Sequence, residues 1–260
     1  MKVLCIDSMD YRVVEKMGLK NLLSKHHGQL EVPINKRVKQ PLSPDVWRAF
    51  LTGVHKPVDF TGDPQLLKAL EFVRARVPLK LGLGKRFKAE KDYPEKDFIG
   101  FIEELGFKEV NFPYYSFDFP RLASYTSAWL DGGLTENDFL DWMFSEFRKE
   151  REEMFGLEGD VAAYFPQLDT IQHCFWKTPE IIDRWYNYFN TLAGEWQPDF
   201  IMSDHGAEKG VHSMKGFWSS ALDVEVVSVT DFRLLFARLL RVDLVNRGEV
   251  KKRLRDLGYV

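Results

Sequence analysis

Lys2-Val3-Leu4-Cys5-Ile6-Asp7 opens the chain with four apolar residues in a row that stop at a carboxylate. A run this short and this apolar reads as a strand buried on both faces. Residues 11 to 23 follow, with Val13, Val14, Met17, Leu19 and Leu22 near helical spacing. A strand that leads straight into a helix is how doubly wound α/β domains begin. In such sheets the functional side chains gather where strands end. Asp7 stands at such an end.

The same alternation continues outward. Ser43 reads as a helix N-cap with Pro44 at the first helical position, and Gly53 stops that helix. Two helical pieces are expected within residues 54 to 95, one over Pro64 to Arg76, and the basic run Lys80 to Lys91 reads as a solvated loop. Asp97 to Leu105 is expected as a helix, Lys108 to Asn111 as a strand, and residues 112 to 120 as an aromatic loop. Thr135 to Phe155 gives the clearest helical pattern, capped by Thr135 or Asn137. Strands are expected at Val161 to Phe165, Asp199 to Ser203 and Val224 to Val229. Helices are expected at Thr178 to Trp196 and Asp231 to Leu240, and a short surface helix from Asn246. The simplest organisation is one α/β domain over residues 1 to 260, with about 55 to 160 including a partial cap.

The bulk numbers fit this reading and narrow the partners. A chain of 260 residues buries enough apolar surface to fold without staples. The net charge of −3 comes from 36 basic and 39 acidic residues mixed along the chain, which argues against dedicated nucleic-acid binding. Cys5 and Cys174 form no CxxC pair and read as buried, reduced thiols. The N-terminal apolar stretch is too short for a signal-peptide core, and no run approaches a membrane span. A soluble, cytoplasmic protein is expected.

Three strand ends carry metal-capable side chains. The first is Asp7. The second is Asp169-x3-His173, after Val161 to Phe165. The third is Asp204-His205-Gly206, after Asp199 to Ser203, with His212 six residues beyond Gly206. Asp and His are usual ligands for zinc-class ions. An Asp and a His four residues apart lie on one helical face. Gly206 permits a turn that would splay Asp204 and His205 toward one ion. At three or four ligands per ion, the set supplies two ions, which can clamp both oxygens of a phosphoryl displacement. Ser43, at a helix N-terminus whose free N–H groups face an incoming anion, adds a nucleophile.

The order and local contexts of these residues resemble the alkaline phosphatase superfamily, in its type I phosphodiesterase/nucleotide pyrophosphatase branch. The matching pieces are Cys5-Ile6-Asp7-Ser8-Met9-Asp10, Leu42-Ser43-Pro44-x2-Trp47-x4-Thr52-Gly53, Leu168-Asp169-x3-His173-x2-Trp176, Ser203-Asp204-His205-Gly206 and His212-x3-Gly216-Phe217. They span residues 3 to about 220. The resemblance implies a three-layer sandwich with a mostly parallel central sheet and a reduced cap. It implies one ion on Asp169, His173 and His212, and a second on Asp7, Asp204 and His205. It also implies that Ser43, where relatives more often carry Thr, touches the second ion and forms a covalent phosphoserine. Asn111 is the loose match to the amide that relatives place on a phosphate oxygen, and it stays outside the core set.

The reading that follows is a metal-dependent hydrolase of small phosphodiesters or nucleotide pyrophosphates. Its two divalent ions are expected to be Zn2+, with Mn2+ or Fe2+ as alternatives. A second reading keeps the site for phosphomonoesters, phosphonates or a phosphoglycerate-mutase-like transfer. A third is a metal-binding protein without catalysis. Sulfatase chemistry is the weakest member, because Ser43-Pro44-Asp45-Val46 lacks the Cys/Ser-x-Pro-x-Arg context.

Overall fold

The opening run forms β1 (Lys2–Ile6) inside a six-stranded sheet. Across the sheet the order is β2 (His26–Glu31), β8 (Lys215–Ser220), β5 (Phe200–Ser203), β1, β4 (Val161–Phe165) and β3 (Lys108–Val110). This is a computed structural model, and it describes residues 1–36, 39–57, 95–208 and 211–242. β1 pairs in parallel with β4 and β5, and β3 with β4. β8 runs antiparallel to β5 and β2, so every strand but β8 shares one direction. A separate two-stranded ribbon joins β6 (Ala207–Glu208) to β7 (Val211–His212).

Side chains alternate across a strand, so β1 feeds two cores. Val3 and Cys5 pack with α2 (Ser43–Thr52), α3 (Phe101–Leu105) and α8 (Phe232–Leu239) through Trp47, Phe50, Phe101 and Phe236. Leu4 and Ile6 pack with α1 (Tyr11–Met17), α5 (Glu136–Phe155), α6 (Gln167–Phe175) and α7 (Pro179–Trp196) through Val14, Phe147, Leu168 and Phe189. α4 (Phe119–Leu130) lays Leu122 and Trp129 against this second core. Helices therefore cover both faces of a mostly parallel α/β sheet, an arrangement compatible with three layers. Trp47 is fully buried and meets Phe50, Phe112 and Tyr164 edge-on, as a packing anchor does.

Several elements differ from the sequence reading, each for a local reason. The first helix stops at Met17 rather than at residue 23, because Gly18 turns left-handed and its N–H closes on Glu15 and Val14. Leu42, not Ser43, is the N-cap of α2, and Ser43 lies one residue inside with no side-chain capping bond. The helix expected from Asp97 begins only at Phe101. Gly100 precedes it, packed so closely that a Cβ there would lie 2.9 Å from the Tyr115 hydroxyl. Thr135 and Asp138 form a capping box that starts α5, which decides between the two expected caps. Val224 to Val229 is not a strand; it meets the β2 edge through the Glu31 N–H to Val227 carbonyl bond and a single bridge to Ser228. Asp45, in the first turn of α2, is fully buried and accepts from Asn35 at 2.8 Å. The expected helix at 64 to 76, the basic run at 80 to 91 and the C-terminal helix lie outside the described residues. No helix among the described residues is long and apolar enough to cross a membrane.

Candidate functional site

The parallel strands β1, β4 and β5 bring their C-terminal ends to one edge of the sheet, and each end delivers a carboxylate. Asp7 directly follows β1, Asp169 lies in the first turn of α6 after β4, and Asp204 directly follows β5. Asp7 is 4% exposed, and Asp204 and His205 are fully buried. The turn after β1 is fixed in detail. Ser8 takes a left-handed φ of 63° and its N–H donates to Asp204 Oδ1 at 3.2 Å. The Met9 N–H donates to Ser203 Oγ, which in turn donates to the His205 carbonyl.

The seven residues singled out in the sequence converge. His205 Nε2 lies 3.3 Å from Asp204 Oδ2, 3.6 Å from Asp7 Oδ1 and 3.2 Å from Ser43 Oγ. His173 Nε2 lies 3.3 Å from Asp169 Oδ1 and 3.0 Å from His212 Nε2, which is itself 3.8 Å from Asp169 Oδ1. The two groups adjoin, because the His205 and His212 rings stack at 3.8 Å. His205 stands between them: ligand atoms of Asp169, His205 and His212 also lie within 4.8 Å of one another, as do those of Asp7, Asp204 and His205.

The donor set suits divalent cations on two grounds. A carbonyl oxygen only accepts, so His205 Nδ1 donates to the Gly206 carbonyl at 3.1 Å, and His212 Nδ1 donates to the Pro41 carbonyl at 3.2 Å. In a neutral ring the remaining nitrogen, Nε2, is then a lone pair, and in both rings it faces the cluster. Asp7 Oδ1, Asp169 Oδ1 and Asp204 Oδ2 are buried oxygens with no hydrogen-bond donor. Buried acceptors normally find partners. Three unpaired carboxylate oxygens aimed at imidazole lone pairs form a cradle for positive charge.

The titration shifts express the same crowding. Burial pushes the Asp7 carboxyl well up, and the charges of Asp204 and Asp169 add to this. Burial, with His205 and His173 alongside, pushes the His212 imidazole well down. Burial also raises Asp169, but His173, ahead of His212 and His205, overrides it and holds that carboxyl below the usual range.

Some participants are invisible in the sequence pattern. The Tyr164 phenol donates to Asp7 Oδ2, leaving Oδ1 for the cluster. Tyr164 is one of five consecutive buried residues in β4, and nothing in such a run tells which face a residue takes. Gln172 is also buried, and its amide donates to the Ser8 carbonyl, holding the β1 turn. Asn111 is committed elsewhere, donating to Glu150 at 2.9 Å.

Gly206 is needed for space rather than for a left-handed turn. A Cβ there would lie 2.6 to 2.8 Å from the carboxylate, Cβ and Cγ of Asp10, which is 4% exposed. Gly206→Ala is expected to destabilise the fold by about 1–3 kcal/mol, the usual cost of overpacking. Urea denaturation measures this, and an unchanged midpoint would mean that Asp10 moves aside freely.

Comparison with family models, curated proteins and solved structures returned no match to this chain.

Proposed function

We propose that this chain is a metal-dependent hydrolase of phosphate esters, acting on small phosphodiesters or nucleotide pyrophosphates through a phosphoserine on Ser43. The observation that carries the reading is the set of three donor-less buried carboxylate oxygens facing the oriented imidazoles, with the Ser43 hydroxyl 3.2 Å from His205 Nε2. Asp169, His173 and His212 would hold one ion, and Asp7, Asp204 and His205 the other, with Ser43 beside the second. Zn2+ suits this ligand set, and Mn2+ or Fe2+ are the alternatives. Bound there, such ions lower the pKa of a coordinated hydroxyl and offset the charge that develops on phosphoryl oxygens.

The chain's own part is positioning. Ser43 is the first residue of α2, so its hydroxyl stands at a helix N-terminus, where the helix dipole favours an anion. Its hydroxyl gives up its proton to solvent and its oxygen bonds to phosphorus as the bond to the leaving oxygen breaks. The departing group takes up a proton from solvent and leaves as an alcohol or a phosphate, and a phosphoserine ester remains. Water then cleaves that ester and restores the hydroxyl. The sheet supports the further reading of an alkaline-phosphatase-like three-layer fold with a reduced cap, since the metal-capable residues occupy strand ends in the order that superfamily uses.

The test is hydrolysis of bis-p-nitrophenyl phosphate against p-nitrophenyl phosphate, with Zn2+ or Mn2+ supplied. Diester preference is the expected result. Monoester preference would keep the site and move the substrate class. No cleavage of either by the metal-loaded protein would favour a metal-binding protein without this activity.

A further inference from the structure

Helix α5 sends one carboxylate toward the sheet ends that carry the site. Glu150 Oε1 accepts from Asn111 Nδ2 at 2.9 Å, and Oε2 accepts from Gln167 Nε2 at 2.6 Å. The Asn111 amide also reaches the Tyr164 carbonyl at 3.4 Å, and the phenol of Tyr164 holds Asp7. Gln167 opens α6, the helix that presents Asp169 and His173. Gln167 is 2% exposed and its Oε1 is buried without a donor, so its carboxamide is oriented through Glu150. Asn111 holds a left-handed φ of 52°, a conformation that costs a non-glycine residue energy and persists where the surroundings fix it.

We propose that Glu150 is a positioning residue: by holding the Asn111 and Gln167 amides together, it fixes the start of α6 and the strand end behind Asp7. This rests on the reading of Asp7, Asp169 and His173 as metal ligands. Outer partners of this kind orient the ligands themselves. The arrangement is sensitive to protonation. Burial, opposed by the Gln167 hydrogen bond, raised further by Glu146 and eased by Lys149, with Glu153 adding a smaller push, moves the Glu150 carboxyl up to about 8. Its hydrogen-bond partners on other elements are the uncharged amides of Asn111 and Gln167. Above that pH the carboxylate accepts from both amides. Below it, one oxygen carries a proton and turns a donor toward an amide donor.

The experiment combines Zn2+ titration calorimetry with a pH–rate profile on bis-p-nitrophenyl phosphate. Wild type is expected to show a rise in kcat near pH 8. Glu150→Gln keeps the size but sets an amide donor against amide donors. It should lose that rise, with kcat and Zn2+ affinity each down ~10-fold, the lower end for outer-shell substitutions. Glu150→Asp retains an ionisable group and should keep a pH step at reduced kcat; it serves if the glutamine variant does not fold. The exposed control Glu152→Gln should match wild type. A folded Glu150→Gln with wild-type Zn2+ affinity and profile, or a Glu150→Asp profile and affinity indistinguishable from wild type, overturns the positioning role alone. A wild type that binds none of Zn2+, Mn2+ and Fe2+ overturns the proposed function and this role with it.

Discussion

Ser43→Ala is expected to lower diester hydrolysis by at least ~10³-fold, the scale on which removing a nucleophile acts, while fold and metal binding persist. The geometry separates these effects. The N-cap place of α2 belongs to Leu42, and the Ser43 hydroxyl makes no capping bond. Its one described side-chain partner is His205 Nε2 at 3.2 Å. Alanine at this position therefore removes no helix-stabilising contact, and stability should stay within about 0.5 kcal/mol of wild type. Ser43→Thr keeps a hydroxyl at the same position and should keep turnover. The measurement is single-turnover hydrolysis of bis-p-nitrophenyl phosphate beside thermal denaturation. A Ser43→Ala protein that turns over at the wild-type rate would remove Ser43 from the chemistry, and the phosphoserine with it.

How far the sequence speaks depends on what each signal measures. The strand Val161 to Phe165 is legible to the residue, because a parallel strand covered on both sides is a continuous apolar run. β2 and β8 are not legible. His26-His27-Gly28-Gln29-Leu30-Glu31 lies at the sheet edge with only Leu30 buried, so its pattern is mostly polar. Lys215 to Ser220 buries both faces, but its Gly and Ser residues interrupt the apolar run that would mark a buried strand. The helix Phe119 to Leu130 was hidden by its aromatic start and by having no fully buried residue. The seven residues that converge could be singled out in the sequence because Asp and His cluster just after strands, with Ser43 at a helix start. Their neighbours Tyr164, Gln172 and Glu150 are ordinary in sequence and meet the site only through tertiary contacts. Carbonyl groups that orient His205 and His212 carry no sequence signal at all, since every residue has one.

Supplying Zn2+ should raise the melting temperature by about 10 °C, reversibly by chelation. Asp7 Oδ1, Asp169 Oδ1 and Asp204 Oδ2 are buried without donors, and a buried acceptor with no partner costs free energy. A ligand that binds only the folded state stabilises it by about 4 kcal/mol at a thousand times its Kd. A domain of this size moves by roughly 2–4 °C per kcal/mol. Asp204→Asn tests whether the cradle is the cause. Asp204 Oδ1 accepts from the Ser8 N–H, and an asparagine oxygen preserves that bond. Its amide nitrogen would take the place of Oδ2, 3.3 Å from His205 Nε2, and would donate to the lone pair there. The substitution thus turns an unpaired acceptor into a hydrogen-bonded donor while removing the charge proposed to hold a cation. The metal-free variant should melt at or above the metal-free wild type, and the Zn2+ increment should largely vanish. A variant that keeps the full increment would take Asp204 out of the ligand set. A wild type that shows no increment with Zn2+ or Mn2+ would mean that the unpaired oxygens serve something other than a cation.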